Sequence, residues 1–332
     1  MIMLRWTIEP VTLDLKYTWK ISRNSSDQKT NLIVTVDDGT FSGKGEAAPN
    51  IRYNETAEEG IKLFSRFIKH VSDTAIDIHT LQPILKSIGI FNSLSFAIES
   101  AWLRFEEART KKSFYELTGI AKPGKIETSY TIPIMDTGLL KKFYQENSLH
   151  RFPYIKLKIN YENALESTKH LLSFCSGRLM VDANESYTDV EECIHWLDKI
   201  RKFPVVLVEQ PLPSKMKEES VYLKKYSPFP LFADESMTDE ADFSELKKSF
   251  DGVNMKLMKA GGFMNGIRLL KEARNSGMRT MIGCMVETTL GISSAMRLCS
   301  LVDYADLDSF ILVRNEPFGL VKEQNGELFF HT

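Results

Sequence analysis

The sequence is poor in cysteine, and it has neither a long apolar run nor an excess of charge of one sign. Its 332 residues include 4 cysteines, which are far apart and show no CxxC spacing, so a zinc site is not expected and a reducing compartment is favoured. The net charge of −2 creates no field that would attract nucleic acid. Composition therefore argues against a zinc protein and against a nucleic-acid-binding protein.

Signals for membranes and nucleotides are also missing. The N-terminus, MIMLRWTIEP, becomes polar too soon for a signal peptide, and no apolar run is long enough to span a bilayer. The segment KAGGFMNG (259–266) is rich in glycine but lacks GxGxxG and Walker spacing. We therefore expect a cytoplasmic protein without nucleic-acid or membrane partners, and the sequence leaves a homo-oligomer open.

Eight short strand-like runs recur in the second part of the chain, with helix-like sequence between them. Their starts lie about 21 to 27 residues apart. This spacing is typical of a barrel of alternating strands and helices, in which the active site lies at the C-terminal ends of the strands. The runs are 130–134, 154–159, 179–184, 205–210, 231–236, 252–258, 279–285 and 304–309.

The chain before the barrel follows another pattern. Two stretches, 6–21 and 31–48, are typical of antiparallel strands, and the second contains the turn signal Asp38-Gly39. Two helical stretches follow after Asn54, the second ending at Gly119. We expect an α+β domain over residues 1–122 and the barrel over 123–310. A tail, 311–332, contains an Asn-Gly turn signal and is expected to return to the first domain.

Lysines lie on two of the predicted barrel strands. Lys156 and Lys158 are two residues apart on the second strand and therefore face the same side. Two adjacent ammonium groups should lower each other's pKa, which would prepare one lysine as a base near neutral pH. Lys256 lies on the sixth strand, opposite the second in a ring of eight. Lys158 and Lys256 should then face each other, whereas Lys259 is expected in the following loop. A solvated edge strand is the alternative for the lysine pair.

Three carboxylates end three consecutive strands. Asp182, Glu209 and Asp234 close the third, fourth and fifth runs. Three negative charges on one arc would repel each other without a cation between them. Because oxygen-only ligands suit Mg²⁺, the sequence predicts a divalent-metal site here.

The eighth run ends in an Asp-Leu-Asp motif. Asp306 and Asp308 should share one face, across the mouth from the metal carboxylates, where they could receive a cationic group such as a free amino terminus. A polar strand end without a function is the alternative. Cys284, near the end of the seventh run, is expected to be a small buried residue, because no histidine is placed to activate it.

At these residues the chain resembles the muconate-lactonizing-enzyme-like subgroup of the enolase superfamily. KLK, VDAN, VEQP, ADES and NMKLMKAGG match that subgroup in order and spacing over nearly the whole length. Within it, the Asp-Leu-Asp motif is similar to that of the dipeptide epimerases. The resemblance implies an α/β fold: a modified TIM (β/α)7β barrel with an N-terminal α+β capping domain. Capping loops near 20–26 and 50–56 would close over the substrate and select its side chains.

The resemblance also implies roles for individual residues. Lys158 and Lys256 would be the two acid/base lysines, and Lys156 would stabilise the enediolate, as in enolase-superfamily sites in general. Arg23 would either meet an acidic side chain, as in Ala-Glu epimerases, or be solvated. The remaining implied site residues are the Mg²⁺ ligands Asp182, Glu209 and Asp234, the ammonium ligands Asp306 and Asp308, and the further substrate-binding residues Thr131 and Cys284.

The function implied is an isomerase, a Mg²⁺-dependent dipeptide epimerase that inverts one α-carbon by proton transfer between two lysines, with the Ala-Glu type as one form. Three related reactions are alternatives: cycloisomerase, o-succinylbenzoate synthase and N-acylamino acid racemase. Their substrates lack a free ammonium, so the motif at Asp306 and Asp308 argues against them. A non-catalytic barrel that serves as a binding protein is a more remote alternative.

Overall fold

The chain begins with a three-stranded antiparallel sheet. The structure is a computed structural model that describes residues 4–21, 25–71 and 76–331. The sheet consists of β1 (Arg5–Lys20), β2 (Ser25–Asp37) and β3 (Ser42–Ala47), with β2 in the middle. The backbone N–H of Asp38 donates to Phe41 O (3.1 Å), which closes the hairpin between β2 and β3 at the predicted Asp-Gly turn.

Helices cover this sheet. They are α1 (Ala57–Val71), α2 (Ile78–Ser87), α3 (Asn92–Thr110) and α4 (Phe114–Thr118). The second predicted helix is in fact two, because Lys111 adopts a left-handed conformation that ends α3, and Gly119 ends α4 in the same way. We call β1–β3 and α1–α4 the capping domain.

The barrel strands form one parallel sheet in sequential order, β4 to β11. They are β4 (Ser129–Ile132), β5 (Tyr154–Lys158), β6 (Arg178–Asp182), β7 (Val205–Glu209), β8 (Leu231–Ala233), β9 (Gly252–Lys256), β10 (Arg279–Gly283) and β11 (Tyr304–Asp306). A parallel bridge between Thr128 and Ala305 joins the first and last strands and closes the ring. The predicted (β/α)7β barrel with a capping domain is confirmed.

Helices connect successive strands. They are α5 (Leu140–Glu146), α6 (Ala164–Leu172), α7 (Val190–Ile200), α8 (Lys217–Tyr226), α9 (Phe243–Ser249), α10 (Leu257–Ala260), α11 (Phe263–Asn275), α12 (Thr289–Met296) and α13 (Ser309–Leu312). None of the described helices is both long and apolar enough to cross a bilayer.

Several predicted strands end earlier than expected. The sixth run continues into α10 after Lys256, so its last two residues, Leu257 and Met258, are helical. The eighth strand ends at Asp306, which places Asp308 beyond it at the start of α13. Polar backbone groups at the mouth are thus satisfied by short helical turns rather than by strand partners.

The barrel interior is filled in layers because side chains alternate along each strand. An apolar layer lies at the bottom, and the next inward-facing residues are the polar strand ends. Gly252 leaves room for this layer, since a Cβ there would lie 2.4 Å from the ring of Phe232. The bottom layer consists of Met180, Leu207, Phe232 and Met281, with Tyr154 and Tyr304 packed against it.

The tail contacts both parts of the molecule. Arg314 N donates to Asp14 O (2.8 Å) on β1. Strands β12 (Val321–Gln324) and β13 (Glu327–Phe330) then form a hairpin around Asn325 and Gly326, and Leu328 N donates to Ile126 O (2.9 Å) at the start of the barrel. The domain boundaries at 122 and 310 stay predictions.

Two buried carboxylates join the capping domain to the barrel. Glu46 of β3 accepts hydrogen bonds from Thr288 N (3.0 Å) and Gly291 N (2.9 Å) at the start of α12. Glu99 of α3 accepts from the N–H of Phe263, at the start of α11. Both carboxylates meet the partial positive charge of a helix N-terminus. The KAGG segment before α11 therefore serves as a domain junction.

Gly45 offers a test of how closely β3 lies against α3. A Cβ at this position would lie 2.0 Å from Ala97 O and 2.8 Å from Ala101 N, and backbone atoms cannot move aside cheaply. We expect Gly45→Ala to lower the free energy of unfolding by about 3 kcal/mol or more, as overpacking does. The control is Gly124→Ala, where a Cβ would meet nothing within 4 Å. Denaturant titrations that gave equal stabilities for the two variants would contradict this packing.

Candidate active site

A cavity of about 410 Å³ lies at the C-terminal ends of the barrel strands. The barrel supplies its floor, and the capping domain supplies a wall that includes Trp19, Lys29 and Tyr53. Every predicted site residue on strands β4, β5, β9 and β11 lines this cavity, as does Asp234 after β8. The lining residues from the predicted set are Thr131, Lys156, Lys158, Asp234, Lys256, Cys284, Asp306 and Asp308.

The three predicted metal ligands lie on adjacent strands. Asp182 is the last residue of β6, Glu209 is the last of β7, and Asp234 directly follows β8. All three side chains are buried. Parallel pairing sets Asp182 level with Glu209, and Asp234 follows Phe232, the partner of Glu209 on β8, by two residues.

Lys156 is the centre of the charge network on the floor. Its Nζ lies 2.8 Å from Glu209 Oε2, 2.8 Å from Asp306 Oδ2 and 3.2 Å from Asp182 Oδ2. Burial alone would lower the pKa of Lys156, but these three carboxylates raise it well above its ordinary value. The expectation that paired lysines lower each other's pKa is therefore wrong for Lys156, because carboxylates surround its ammonium.

The two predicted acid/base lysines each contact one carboxylate. Lys158 Nζ lies 2.7 Å from Asp182 Oδ2 and donates to Asn184 Oδ1 at 2.9 Å. Lys256 Nζ lies 2.9 Å from Asp234 Oδ2, and this contact raises its pKa against the opposing effect of burial. The lysines thus hold different carboxylates on the same cavity floor.

The carboxylates respond to these ammonium groups unequally. Burial would raise the pKa of Asp182, but Lys158 and Lys156 lower it to about 2. Burial raises the pKa of Glu209 to about 7, and the neighbouring carboxylates of Asp182 and Asp234 act in the same direction. The ammonium of Lys156, 2.8 Å away, opposes these effects and lowers the pKa of Glu209.

The donor set fits a hard divalent cation such as Mg²⁺. It offers only oxygen atoms, from three buried carboxylates on neighbouring strands. Glu209 Oε2, although 2.8 Å from Lys156 Nζ, has no partner in hydrogen-bond geometry among the described residues. Within the same described part of the chain, no three His, Cys, Asp or Glu side chains form a metal-binding group, and lysine ammonium groups contact these carboxylates.

Two buried residues that support Asp234 were not recognised from the sequence. Lys259 lies in the short helix α10 rather than in a loop, and its Nζ contacts Asp234 Oδ1 (2.7 Å) and Asp234 O (2.5 Å). Gln210 Oε1 accepts from Asp234 N (3.1 Å) and Ser236 N (3.0 Å), and its Nε2 donates to Leu212 O and Ser236 Oγ. Gln210 thereby ties the loops after β7 and β8 together.

The two aspartates of the Asp-Leu-Asp motif both line the cavity but have different partners. Asp306 Oδ1 accepts from Ser129 Oγ (2.6 Å), and its Oδ2 contacts Lys156. The Lys156 ammonium therefore links Asp306 on β11 to Glu209 on β7, four places away in the ring of strands. Asp308 Oδ2 accepts from Thr131 N (2.5 Å), and burial together with the charge of Asp306 raises the pKa of Asp308 to about 7.

Of the other predicted substrate-binding residues, Cys284 and Thr131 line the cavity. Cys284 Sγ lies 3.3 Å from Asp306 O, and burial raises the pKa of its thiol well above the ordinary value, which disfavours the thiolate that a nucleophile requires. Thr131 positions Asp308 through its backbone N–H. Arg23 lies outside the described residues.

Contacts between the capping domain and the barrel near the mouth include one with a floor lysine and one with a barrel loop. The ring of Trp19 lies 5.9 Å from Lys158 Nζ, a cation–π contact between β1 and β5. Arg52 Nη2 lies 2.8 Å from Glu185 Oε1 and 2.7 Å from Glu185 Oε2, and Glu185 also accepts from Ser214 N (2.8 Å). The segment around Arg52 is thereby held to the barrel loops that follow β6 and β7.

Gln210 is a testable positioning residue. In Gln210→Met the N–H groups of Asp234 and Ser236 lose their acceptor, so the free energy of unfolding should fall by about 2 kcal/mol or more. Mg²⁺ affinity should fall about 10- to 100-fold, as happens when outer partners of metal ligands are removed. Calorimetric Mg²⁺ titration of the folded variant measures the second effect, with the exposed Gln145→Met as control. Unchanged Mg²⁺ affinity in Gln210→Met would contradict this role.

The chain matches known proteins over most of its length. Residues 141–316 match the family model described as Enolase C-terminal domain-like. The L-Ala-D/L-amino acid epimerase of Pedosphaera parvula is 33% identical, over 97% of this chain and 94% of its own length.

Two solved structures share the fold. The dipeptide epimerase from Cytophaga hutchinsonii, complexed with Mg and the dipeptide D-Ala-L-Val, has a TM-score of 0.90 at 22% identity and covers 99% of this chain and 93% of its own. The N-succinyl Arg/Lys racemase from Bacillus cereus has a TM-score of 0.91 at 16% identity, over 100% of this chain and 93% of its own. Fold alone therefore does not separate these two activities. Together with the family match and the full-length relative, the shared architecture shows that the chain belongs to the enolase superfamily.

Proposed function

We propose that the protein is a Mg²⁺-dependent dipeptide epimerase that inverts one α-carbon of its substrate. The chain is an isomerase, as is the curated epimerase that it resembles over nearly its full length. The observation that carries the finer proposal is the cavity floor, where two lysines on opposite strands accompany a carboxylate arc and an acidic motif. A dipeptide offers matching groups: a carboxylate, an α-proton and an ammonium.

Asp182, Glu209 and Asp234 would hold the Mg²⁺ ion, as the fit of their oxygen atoms supports. When bound, Mg²⁺ supplies positive charge that stabilises an enediolate. Lys156 adds a second positive charge beside these carboxylates, and its contacts with Glu209 and Asp306 fix it in place. Because the α-proton is only weakly acidic, fixed charge of this kind is the main source of stabilisation for the enediolate that forms when the proton is removed.

Lys158 and Lys256 would transfer the proton. One lysine removes it from the α-carbon, and the other returns a proton to the opposite face, so the configuration inverts. Strands β5 and β9 are four places apart in the ring of eight, which sets their lysines on opposite sides of the cavity. Asn184 and Asp182 orient Lys158, whereas Asp234 orients Lys256.

Asp308 is the better placed of the two aspartates to receive the substrate's ammonium. The oxygen atoms of Asp306 already contact Ser129, Thr131 and Lys156, so this carboxylate mainly stabilises the floor. A racemase of N-acylamino acids is the second candidate. Asp306 already has partners, so only Asp308 of the acidic motif would be available to a free ammonium. The more specific form of the proposal is an epimerase of the Ala-Glu type.

Isotope exchange tests the two-lysine mechanism. In D₂O with Mg²⁺, Lys158→Gln and Lys256→Gln should each lower epimerisation about 10²- to 10⁴-fold, as expected for loss of a general acid/base. Each variant should still exchange the α-proton of the diastereomer whose face the remaining lysine contacts. Proton NMR of each diastereomer measures this, with Mg²⁺ binding as the folding control. Exchange of both diastereomers by either single variant would exclude the mechanism.

Substitution of Asp308 tests the ammonium site. Asp308→Asn should lower kcat/KM for free dipeptides about 10- to 100-fold, as expected for loss of a charge-assisted contact. Because the pKa of Asp308 is raised to about 7, its protonation should also lower kcat/KM for free dipeptides as the pH falls through about 7. This pH dependence should be absent from the variant. N-acetylated dipeptides provide the matched control. If the unmutated protein racemises N-acylamino acids faster than any free dipeptide, the racemase replaces the epimerase.

A further inference from the structure

Lys158 receives part of its orientation from a side-chain amide. Its Nζ donates to Asn184 Oδ1 (2.9 Å) in addition to its contact with Asp182 Oδ2 (2.7 Å). Asn184 is itself buried, and its backbone N–H donates to Asp182 Oδ1 (3.0 Å). Its backbone is left-handed, with a φ of 43°, which turns the chain directly after β6. These contacts hold the amide beside one of the two proposed acid/base lysines.

The amide of asparagine can present either of two ends to a neighbour. Its oxygen accepts hydrogen bonds, whereas its NH₂ group donates them, and a half-turn of the amide exchanges the two. Because an ammonium group only donates, Lys158 gains a hydrogen bond from the oxygen and is repelled by the NH₂ group. The orientation of the Asn184 amide thus determines whether Lys158 keeps this contact.

Glu235 determines which end of the amide faces Lys158. Its Oε1 accepts from Asn184 Nδ2 at 3.3 Å. A carboxylate accepts hydrogen bonds and donates none, so it holds the NH₂ end of the amide and leaves the oxygen to Lys158. Without this acceptor, the NH₂ group of Asn184 would lose the partner that fixes the orientation.

The backbone on both sides of Glu235 is fixed. The N–H groups of Asp234 and Ser236 both donate to Gln210 Oε1, at 3.1 Å and 3.0 Å. The side chain of Glu235 is buried and lines the cavity, as does that of Asn184. A firmly held loop after β8 thus presents the carboxylate to the amide.

The carboxylate of Glu235 has an electrostatic effect besides this hydrogen bond. Burial lowers the pKa of Lys259, and the carboxylates of Asp234 and Glu235 act in the opposite direction. The acceptor and the charge can be separated, because glutamine keeps an acceptor oxygen but carries no charge. Comparison of an apolar variant with a glutamine variant therefore isolates the hydrogen bond to Asn184.

We propose that Glu235 is a positioning residue that orients the Asn184 amide and thereby aligns Lys158 for proton transfer at one face of the α-carbon. The inference rests on the proposed epimerase function and assigns Glu235 no contact with the substrate. Lys256, at the opposite face, takes its orientation from Asp234. Loss of the Glu235 acceptor should therefore impair one of the two proton transfers and leave the other.

Loss of the α-proton in D₂O separates the two faces when proton NMR follows it for L-Ala-L-Glu and L-Ala-D-Glu at saturating Mg²⁺. The Lys256→Gln variant identifies the diastereomer that Lys158 deprotonates. In Glu235→Met, kcat/KM for α-proton loss from that diastereomer should fall about 10- to 100-fold, as expected when a charged group loses a hydrogen-bond partner. The rate for the other diastereomer should stay near that of the unmutated protein, and Glu235→Gln should keep both rates.

A double-mutant cycle with Asn184→Leu tests whether Glu235 acts through the amide. In the Asn184→Leu background, Glu235→Met should add little further loss, since residues that act through one contact are not additive. Calorimetric Mg²⁺ binding shows that each variant is folded, and Glu235→Ala replaces Glu235→Met if the latter does not fold. Glu218→Met, an exposed glutamate on α8 that does not line the cavity, is the matched control.

Three results would overturn the inference and leave the epimerase standing. They are equal losses for both diastereomers in Glu235→Met, no loss in that variant, and additive losses in the double-mutant cycle. Absence of α-proton exchange from any free dipeptide by the unmutated protein would overturn both the epimerase and the role of Glu235.

Discussion

The buried ammonium of Lys156 is the contact on which the active-site floor depends. It lies within 3.2 Å of carboxylates from β6, β7 and β11, so one side chain joins four of the eight barrel strands. Without it, three carboxylates would share a water-poor site with fewer counter-charges, and their mutual repulsion would be large. The apolar layer beneath carries no charge and cannot replace it. Charge balance and barrel closure are thus coupled.

Residues around the floor hold Asp234 and the loops after β6 and β7 in place. Gln210 satisfies the backbone around Asp234, and Lys259 contacts the same aspartate from α10. Left-handed backbone at Asn184, Glu185 and Gln210 turns the chain directly after β6 and β7, a conformation that is uncommon outside glycine and is often found at functional sites. Local strain here is compensated by buried hydrogen bonds, as is typical of a preorganised site.

Much of the fold was predictable because barrel strands are short apolar runs that end in polar residues. Asp182, Glu209 and Lys256 could be placed at strand ends from this pattern alone. The role of Lys259 could not be predicted, since NMKL alternates polar and apolar residues like a strand and nothing local marks the helical turn after Lys256. The attachment of Asp306 to Lys156 spans 150 residues and depends on ring closure. The local sequence around either residue therefore does not predict that contact.

Helix α3 packs against both the capping sheet and the barrel. One side lies against Gly45 of the capping sheet, and the other reaches the barrel through Glu99 and through Arg104, which donates to Leu290 O (3.1 Å). Rotation of the capping domain as a rigid body would break these buried contacts together. Exchange of substrate and product therefore falls to short surface segments such as 50–54, where a few exposed contacts can break and re-form on each turnover.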